Sequence, residues 1–156
     1  MFLNDTWKLW FHDPHCESWD EKSYIELASI STVEEIAEVY HAYKNIWNKG
    51  MFFLMREHIK PVWEDEHNAN GGCFSYKVMK PEVPTQWLNL CARATGETLV
   101  VPEKRSDNWE KVCGISISPK RTYCILRIWI SDASWNDERL YTVQLPAYTG
   151  MQFKTH

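Results

Sequence analysis

The stretch Ile59-Lys60-Pro61-Val62-Trp63-Glu64-Asp65-Glu66-His67-Asn68-Ala69-Asn70-Gly71-Gly72 decides how the rest of the chain is read. Pro61 pushes the residue before it to extended geometry, so 60–63 is not expected to be helical. Three carboxylates, Glu64, Asp65 and Glu66, follow Trp63 at once. Asn68, Asn70 and the Gly71–Gly72 pair supply the positive-φ positions of a hairpin turn, which predicts 72–79 as the hairpin partner of a buried strand at 51–55. A large apolar side chain beside an acid at a strand end builds a poor core. It suits a flat, electron-poor ring with donors on its edge: the indole stacks on the face while the carboxylate accepts two coplanar N–H groups. Guanine presents two adjacent donors, and methylation of its imidazole ring makes it cationic. The same residues also describe an indole plugging a hairpin beside a solvated acidic turn.

A chain of 156 residues can bury a sizeable core, and 1–156 is expected to form a single domain. Hydrophobic residues make up 44% of it and charges are mixed, which fits a globular chain rather than a disordered one. No apolar run approaches the length of a membrane span, and the opening Met1-Phe2-Leu3-Asn4 lacks the pattern of a signal peptide. Five scattered cysteines without a C-x-x-C pair fit free thiols in a reducing compartment, so a cytoplasmic location is expected. The net charge of −4 argues against wrapping a long polyanion, since each neutralised phosphate needs a cation. A local basic pocket for one terminal nucleotide is compatible with it. Nine tryptophans exceed what a core this size buries easily, and surplus indoles mark stacking or contact surfaces.

Taken in order, Trp7–His12 reads as a strand and His12-Asp13-Pro14-His15-Cys16 breaks it. No second ligand pair lies at a spacing that would make His12, His15 and Cys16 a metal site. Trp19 follows among charged residues, free to stack on a ligand or to fold back as a lid. The alternation at 24–30 predicts a half-buried strand. Thr32-Val33-Glu34-Glu35 is a capping box opening a helix expected to reach about Ile46. The residues 81–84 read as a connector and 85–95 as a second helix ended by Gly96. A charged loop is expected at 103–110. Strands at 112–118 and 123–130 flank a turn carrying Lys120 and Arg121, and 132–140 is expected to form a short third helix before a last strand at 150–154. Strands with inserted helices and no βαβ regularity predict an α+β fold, a curved antiparallel β-sheet with about three helices on one face.

Taken together, these pieces resemble the eukaryotic translation initiation factor 4E family of mRNA cap-binding proteins. The likeness is carried by Trp7-Lys8-Leu9-Trp10-Phe11, Ser18-Trp19, Thr32-Val33-Glu34-Glu35, Pro61-Val62-Trp63-Glu64-Asp65-Glu66, Trp87-Leu88, Val112-Cys113-Gly114 and Ile128-Trp129, in order over nearly the whole chain. The resemblance implies a cupped molecule with helices on the convex face and a cap-binding cleft on the concave side. It implies that Trp19 and Trp63 sandwich 7-methylguanine, that Glu64 and the Trp63 N–H read the base edge, and that Trp129 lies near the methyl group. Lys120 falls where the family binds phosphate, with Arg121 beside it.

The departures are specific. Cys73 stands where many relatives have an arginine near the phosphates and Ile125 where many have a lysine, so Arg127, on the strand face of Trp129, is a candidate substitute. On the back, Val33 and Leu88 match the patch that receives the initiation scaffold, factor 4G, but the family's central tryptophan is Ala37. The implied partners are the capped 5′ end of mRNA and a 4G-like scaffold or a divergent partner. Ala37 motivates the alternative of a cap-binding repressor or decoy that leaves the conventional scaffold unrecruited. Glu64, Asp65 and Glu66 have no activated nucleophile, histidine partner or metal spacing beside them, so neither an enzyme nor a cofactor is expected.

Overall fold

The computed structural model describes residues 1–156. Seven strands form one antiparallel sheet: β1 (Phe2–His12), β2 (Ile25–Thr32), β3 (Met51–Arg56), β4 (Gly72–Met79), β5 (Val112–Pro119), β6 (Tyr123–Ile130) and β7 (Gln152–Thr155). Their order across the sheet is β2-β1-β3-β5-β6-β4-β7. Three α-helices, α1 (Val33–Ala42), α2 (Val83–Thr95) and α3 (Pro102–Asn108), complete the expected α+β architecture.

Strand alternation sends side chains to two destinations. From β6, Cys124, Leu126, Ile128 and Ile130 join a core that also holds Phe74, Tyr76 and Val78 of β4, Ile115 and Ile117 of β5, and Trp87, Leu90, Cys91 and Ala94 of α2. The intervening Trp129 and Cys73 join a smaller cluster with Phe53 and Met55 on the opposite face. Helix α1 starts as its capping box requires: Thr32 Oγ1 accepts the Glu35 N–H at 3.1 Å and Glu35 Oε1 accepts the Ser31 N–H at 3.2 Å.

Several elements differ from the sequence reading. Residues 72–79 are not the hairpin partner of the strand before the Trp63 stretch. β3 has both edges filled by β1 and β5, and β4 lies across the sheet between β6 and β7. The connecting segment is therefore a crossing loop, and neither of its glycines has positive φ. They serve close approach instead: a Cβ on Gly71 would lie 1.7 Å from the Ile130 carbonyl oxygen, and one on Gly72 2.4 Å from that of Lys154. Helix α1 stops at Ala42 rather than near Ile46. The Trp47 indole N–H donates to the Tyr40 carbonyl at 3.0 Å, taking the acceptor the next turn would use, and Trp47 is buried.

The charged segment after Val101 is helix α3, not a loop, with Pro102 pre-organising its first turn. Residues 132–140 form turns with only a single 3-10 turn at Glu138–Leu140. Asp132 and Asp137 accept the N–H groups of Ser134 and Arg139, a local bonding pattern that competes with a helix. Helix α2 begins two residues earlier than expected, at Val83, and Gly96 has an ordinary φ of −81°. The left-handed conformation falls on Glu97, at φ 58°.

Glu97 is held there by Arg56, a 1%-exposed residue that the sequence does not single out. The Arg56 guanidinium lies 4.5 Å from the Trp7 ring and 4.9 Å from the Trp109 ring. It donates to Glu97 through two nitrogens at 2.6 and 2.7 Å, to Asp5 at 3.1 Å, and through Nε to the Val112 carbonyl at 2.7 Å. One side chain thus ties β1, β3, β5 and the end of α2. Losing one partner of a buried pair costs about 3–5 kcal/mol when the other charge is left uncompensated. With Asp5 still in contact, Glu97→Gln is expected to cost about 3 kcal/mol, the low end of that range. Urea unfolding midpoints check this, and an unchanged midpoint would mean the network adds nothing to stability.

Candidate functional site: an indole-walled cleft

The face of the sheet opposite the larger core carries a cleft of about 600 Å³. Its floor comes from strands: Trp129 and Arg127 of β6, Ser116 and Ser118 of β5, Cys73 and Ser75 of β4. Trp19, Trp63 and Glu64 line it from two loops, and 154–156 closes one side.

Each wall has its own support. Trp19 is 52% exposed, yet its inner neighbour is the fully buried His12, whose ring stacks on the indole at 4.1 Å between centroids and 3° between planes. His12 Nε2 sits 2.8 Å from the Ser18 carbonyl, which fixes that ring under the loop. The histidine of the His-x-x-His-Cys run is therefore a prop for the indole.

Trp63 is 57% exposed on a loop clamped from beneath. Asp65 accepts the Lys60 N–H at 2.8 Å and the His67 N–H at 2.9 Å, with His67 Nδ1 also at 2.9 Å. Buried Asn68 donates to the carbonyls of Lys60 and Val62 at 3.1 and 2.8 Å. Burial works against ionisation of Asp65, but those three hydrogen bonds outweigh it and hold its pKa below the usual aspartate value. The Lys60–Glu21 ion pair, 3.0 Å, links this loop to the one bearing Trp19.

The three carboxylates thus separate by task. Asp65 folds the loop, while Glu64 lines the cleft and makes no hydrogen bond or ion pair within the protein. The Trp63 backbone N–H is likewise without a protein acceptor. Burial, together with the negative charge of Glu64, pushes the neighbouring Tyr24 phenol up to about 12. Trp129 is 8% exposed at the floor and donates its indole N–H to Ser116 Oγ at 3.1 Å.

Of the candidate cations, Arg127 lines the cleft and donates to Ser118 Oγ at 3.3 Å. Lys120 and Arg121 are exposed on the β5–β6 turn, outside the cleft lining. Lys154, opposite Cys73 across the β4–β7 pairing, is a cation of the wall that sequence reasoning missed. His156 also lines the cleft beside Trp129, and desolvation lowers its pKa below the usual histidine value, so its ring is neutral near pH 7. Burial pushes the Cys73 thiol up to about 12, which leaves it unreactive. On the helical side, Val33, Ala37 and Leu88 are all exposed.

Two exposed indoles in one open cleft, a free carboxylate beside them, Arg127 on the floor and Lys154 on the wall are groups able to stack on a flat ring, accept from donors on its edge and pair with an anionic tail. The chain belongs to the eukaryotic initiation factor 4E family, whose sequence model matches residues 2–156. It is 29% identical over 135 residues to eukaryotic translation initiation factor 4E of Eremothecium gossypii, covering 81% of this chain and 61% of that protein. It is 26% identical over 144 residues to factor 4E-3 of Arabidopsis thaliana, covering 88% of this chain and 57% of the other. The chain therefore spans about three fifths of the length of these curated relatives. Among solved structures it is similar to Ascaris suum eIF4E-3 in complex with the m7G cap, with a TM-score of 0.80 and 24% identity, covering 99% of this chain and 91% of that one. The complex of that protein with the m2,2,7G cap gives 0.78 and 26% at the same coverage.

The loop clamp can be tested without any ligand. Asp65→Asn and Asn68→Ala each weaken hydrogen bonds to exposed or partly buried backbone groups, at a cost of about 0.5–1.5 kcal/mol per bond. Hydrogen exchange should quicken in 59–71 and stay unchanged in β5 and β6. Because the folded-state pKa of Asp65 is depressed, its contribution is present above the ordinary aspartate value, roughly 4, and is lost as pH falls through the lower native value. Protection factors in this loop, exchange rates divided by the intrinsic rate at each pH, should therefore fall in acid in the wild type, and far less in Asp65→Asn.

Proposed function

We propose that residues 1–156 act as a single cap-binding domain that holds the 7-methylguanosine cap of mRNA for translation initiation, in the cytoplasm. The observation that carries this reading is the pairing of two exposed indoles, Trp19 and Trp63, with the unengaged Glu64 carboxylate and Trp63 N–H in one cleft. The methylated base stacks between the indoles, its imino and amino hydrogens go to Glu64, and its ring carbonyl takes the Trp63 N–H. Trp129 lies under the methyl group. The positive ring adds a cation–π component of about 0.5–2 kcal/mol per favourable contact, and a neutral His156 does not oppose it. Arg127, within the cleft, takes the nearest phosphates, with Lys120 and Arg121 farther along. The site binds without catalysing.

A second reading concerns the role rather than the ligand. We propose the exposed Val33, Ala37 and Leu88 as the docking surface for a scaffold helix. Ala37 leaves a shallow spot where an indole would anchor such a helix. That favours a divergent partner, or a cap-binding repressor, over the conventional 4G-like scaffold.

Titration with 7-methylguanosine triphosphate should quench intrinsic tryptophan fluorescence, and unmethylated guanosine triphosphate should bind much more weakly. Trp19→Ala and Trp63→Ala should each lose about 1–3 kcal/mol of affinity, the value of one base–aromatic stack. Glu64→Gln should lose about 1.5–3 kcal/mol, because a charge-assisted acceptor is replaced by an opposing donor. Equal calorimetric affinity for methylated and unmethylated nucleotides would remove the cap reading.

The back surface is tested separately. Ala37→Trp should strengthen binding of a conventional scaffold peptide by about 2 kcal/mol or more, as a central interface indole does, with cap affinity unchanged. Tight binding of that peptide by the wild type, unaltered by the substitution, would show that this position does not select partners.

A further inference from the structure

Trp19 has two faces, and the protein covers one of them. The inner face lies flat on the His12 ring, 4.1 Å away between centroids and 3° from parallel, while the indole also lines the cleft. His12 is wholly buried, and its ring makes one hydrogen bond, from Nε2 to the Ser18 carbonyl at 2.8 Å. A carbonyl can only accept, so Nε2 carries the hydrogen and Nδ1 is the bare nitrogen of the neutral ring. That Nδ1 is buried without a partner. A proton gained there leaves the bond to Ser18 intact, because an imidazolium still donates through Nε2. The ring can therefore change charge without losing the contact that fixes it beneath the loop.

No charged side chain bonds to this ring. Its other aromatic neighbour is Tyr24 at 4.8 Å, whose phenol, pushed up to about 12, stays uncharged at neutral pH. From β3, Met51 pairs with His12 across the ladder and Phe53 packs on Tyr24 at 5.4 Å. From β2, Ile25 pairs with Phe11. Within the Trp19 loop, the Cys16 thiol shares the Ser18 carbonyl at 3.6 Å, and the Asp13 carboxylate turns to the His15 N–H at 2.9 Å. Glu21 of the same loop is paired with Lys60. Glu64, on the loop of Trp63, acts on Tyr24 through its charge but makes no bond to His12. A charge on His12 is thus left to act on the indole stacked against it.

We propose that His12 is a specificity-determining residue of the cleft: neutral, it lets Trp19 favour a positively charged ring, and protonated, it removes that preference. The proposal rests on the cap reading above. A methylated guanine on the outer face of Trp19 and an imidazolium on the inner face are two like charges across one indole. Their separation, the 4.1 Å inner stack plus a second stacking distance, is about 8–9 Å. At the effective dielectric of a protein surface this repulsion corresponds to roughly tenfold or more in affinity. Unmethylated guanine carries no such charge, so its binding escapes the repulsion. The sign follows directly. Preference for the methylated base is full at a pH where the free protein leaves His12 neutral, and it declines as acid adds the proton.

The experiment measures affinities for 7-methylguanosine triphosphate and guanosine triphosphate by fluorescence titration from about pH 7.5 to about 5.5, the range in which imidazole ordinarily changes charge. The wild type should lose roughly tenfold of its preference for the methylated nucleotide across that range. His12→Phe keeps a flat ring beneath Trp19 but has no proton to gain, so its preference should stay constant. Groups common to both proteins, His156 of the cleft and the ligand phosphates among them, cancel in the comparison. His12→Ala removes the ring and should bind both nucleotides less tightly at every pH, a loss that His12→Phe restores. Packing alone accounts for that rescue, and only a charge accounts for the difference in pH profile. A wild-type preference that does not move with pH, or that moves equally in His12→Phe, would overturn the proposal. No preference for the methylated nucleotide at pH about 7.5, where imidazole is ordinarily neutral, would instead reject the cap reading beneath it.

Discussion

The alternation of side chains along β4, β5 and β6 constrains everything around it. Phe74, Tyr76 and Val78 on one strand and Leu126, Ile128 and Ile130 on its neighbour must all face the helices, which sends Cys73, Ser75, Arg127 and Trp129 to the other side. A slip of one residue would exchange the two sets, putting Arg127 into the core and Ile128 into the cleft. The register is therefore fixed by burial before any ligand is considered. Gly114 reinforces it, since a Cβ there would lie 2.3 Å from the Met55 sulfur and 2.6 Å from the Leu54 carbonyl oxygen.

What the sheet does for the floor of the cleft, short-range polar contacts do for its walls. Loops cannot draw rigidity from a ladder, so each tryptophan has a local support: a buried imidazole beneath Trp19, and Asp65 with Asn68 beneath Trp63. Much of the ordering entropy of both walls is spent in folding rather than in binding. The Asn68 Oδ1, buried without a partner, is the one polar atom of the clamp left unsatisfied.

Where the sequence was legible, the physical signal was local and strong. The capping box at Thr32–Glu35, the helix through Trp87 and the paired strands of the β5–β6 hairpin all appear within a residue or two of where periodicity puts them. Trp19, Trp63, Glu64 and Trp129, which the family resemblance drew together, line one cleft, and Arg127, read from its strand face as a candidate substitute cation, lines it too. What was not legible depends on distance in space. Glycines read as turn formers proved to be points of strand crossing, because sequence does not reveal that β3 and β4 are separated by β5 and β6. The wall cation Lys154 becomes visible only once β7 is known to pair with β4. Arg56 gave no signal because its partners, Asp5, Glu97 and Trp109, lie far away in the chain. Asp65 and Asn68 could have been found, since two residues able to bond backbone groups inside a long loop are a signature of self-folding turns.

The two faces of the sheet share strands but almost no side chains. Residues that shape the cleft sit at alternate strand positions and on two loops, whereas Val33, Ala37 and Leu88 belong to helices on the far side of a continuous apolar core. A substitution on one face has no direct contact through which to disturb the other. In evolutionary terms the molecule is modular within a single fold: a lineage can alter its helical back while its cleft drifts under an independent pressure, and duplicated copies can diverge on one surface without first losing the other.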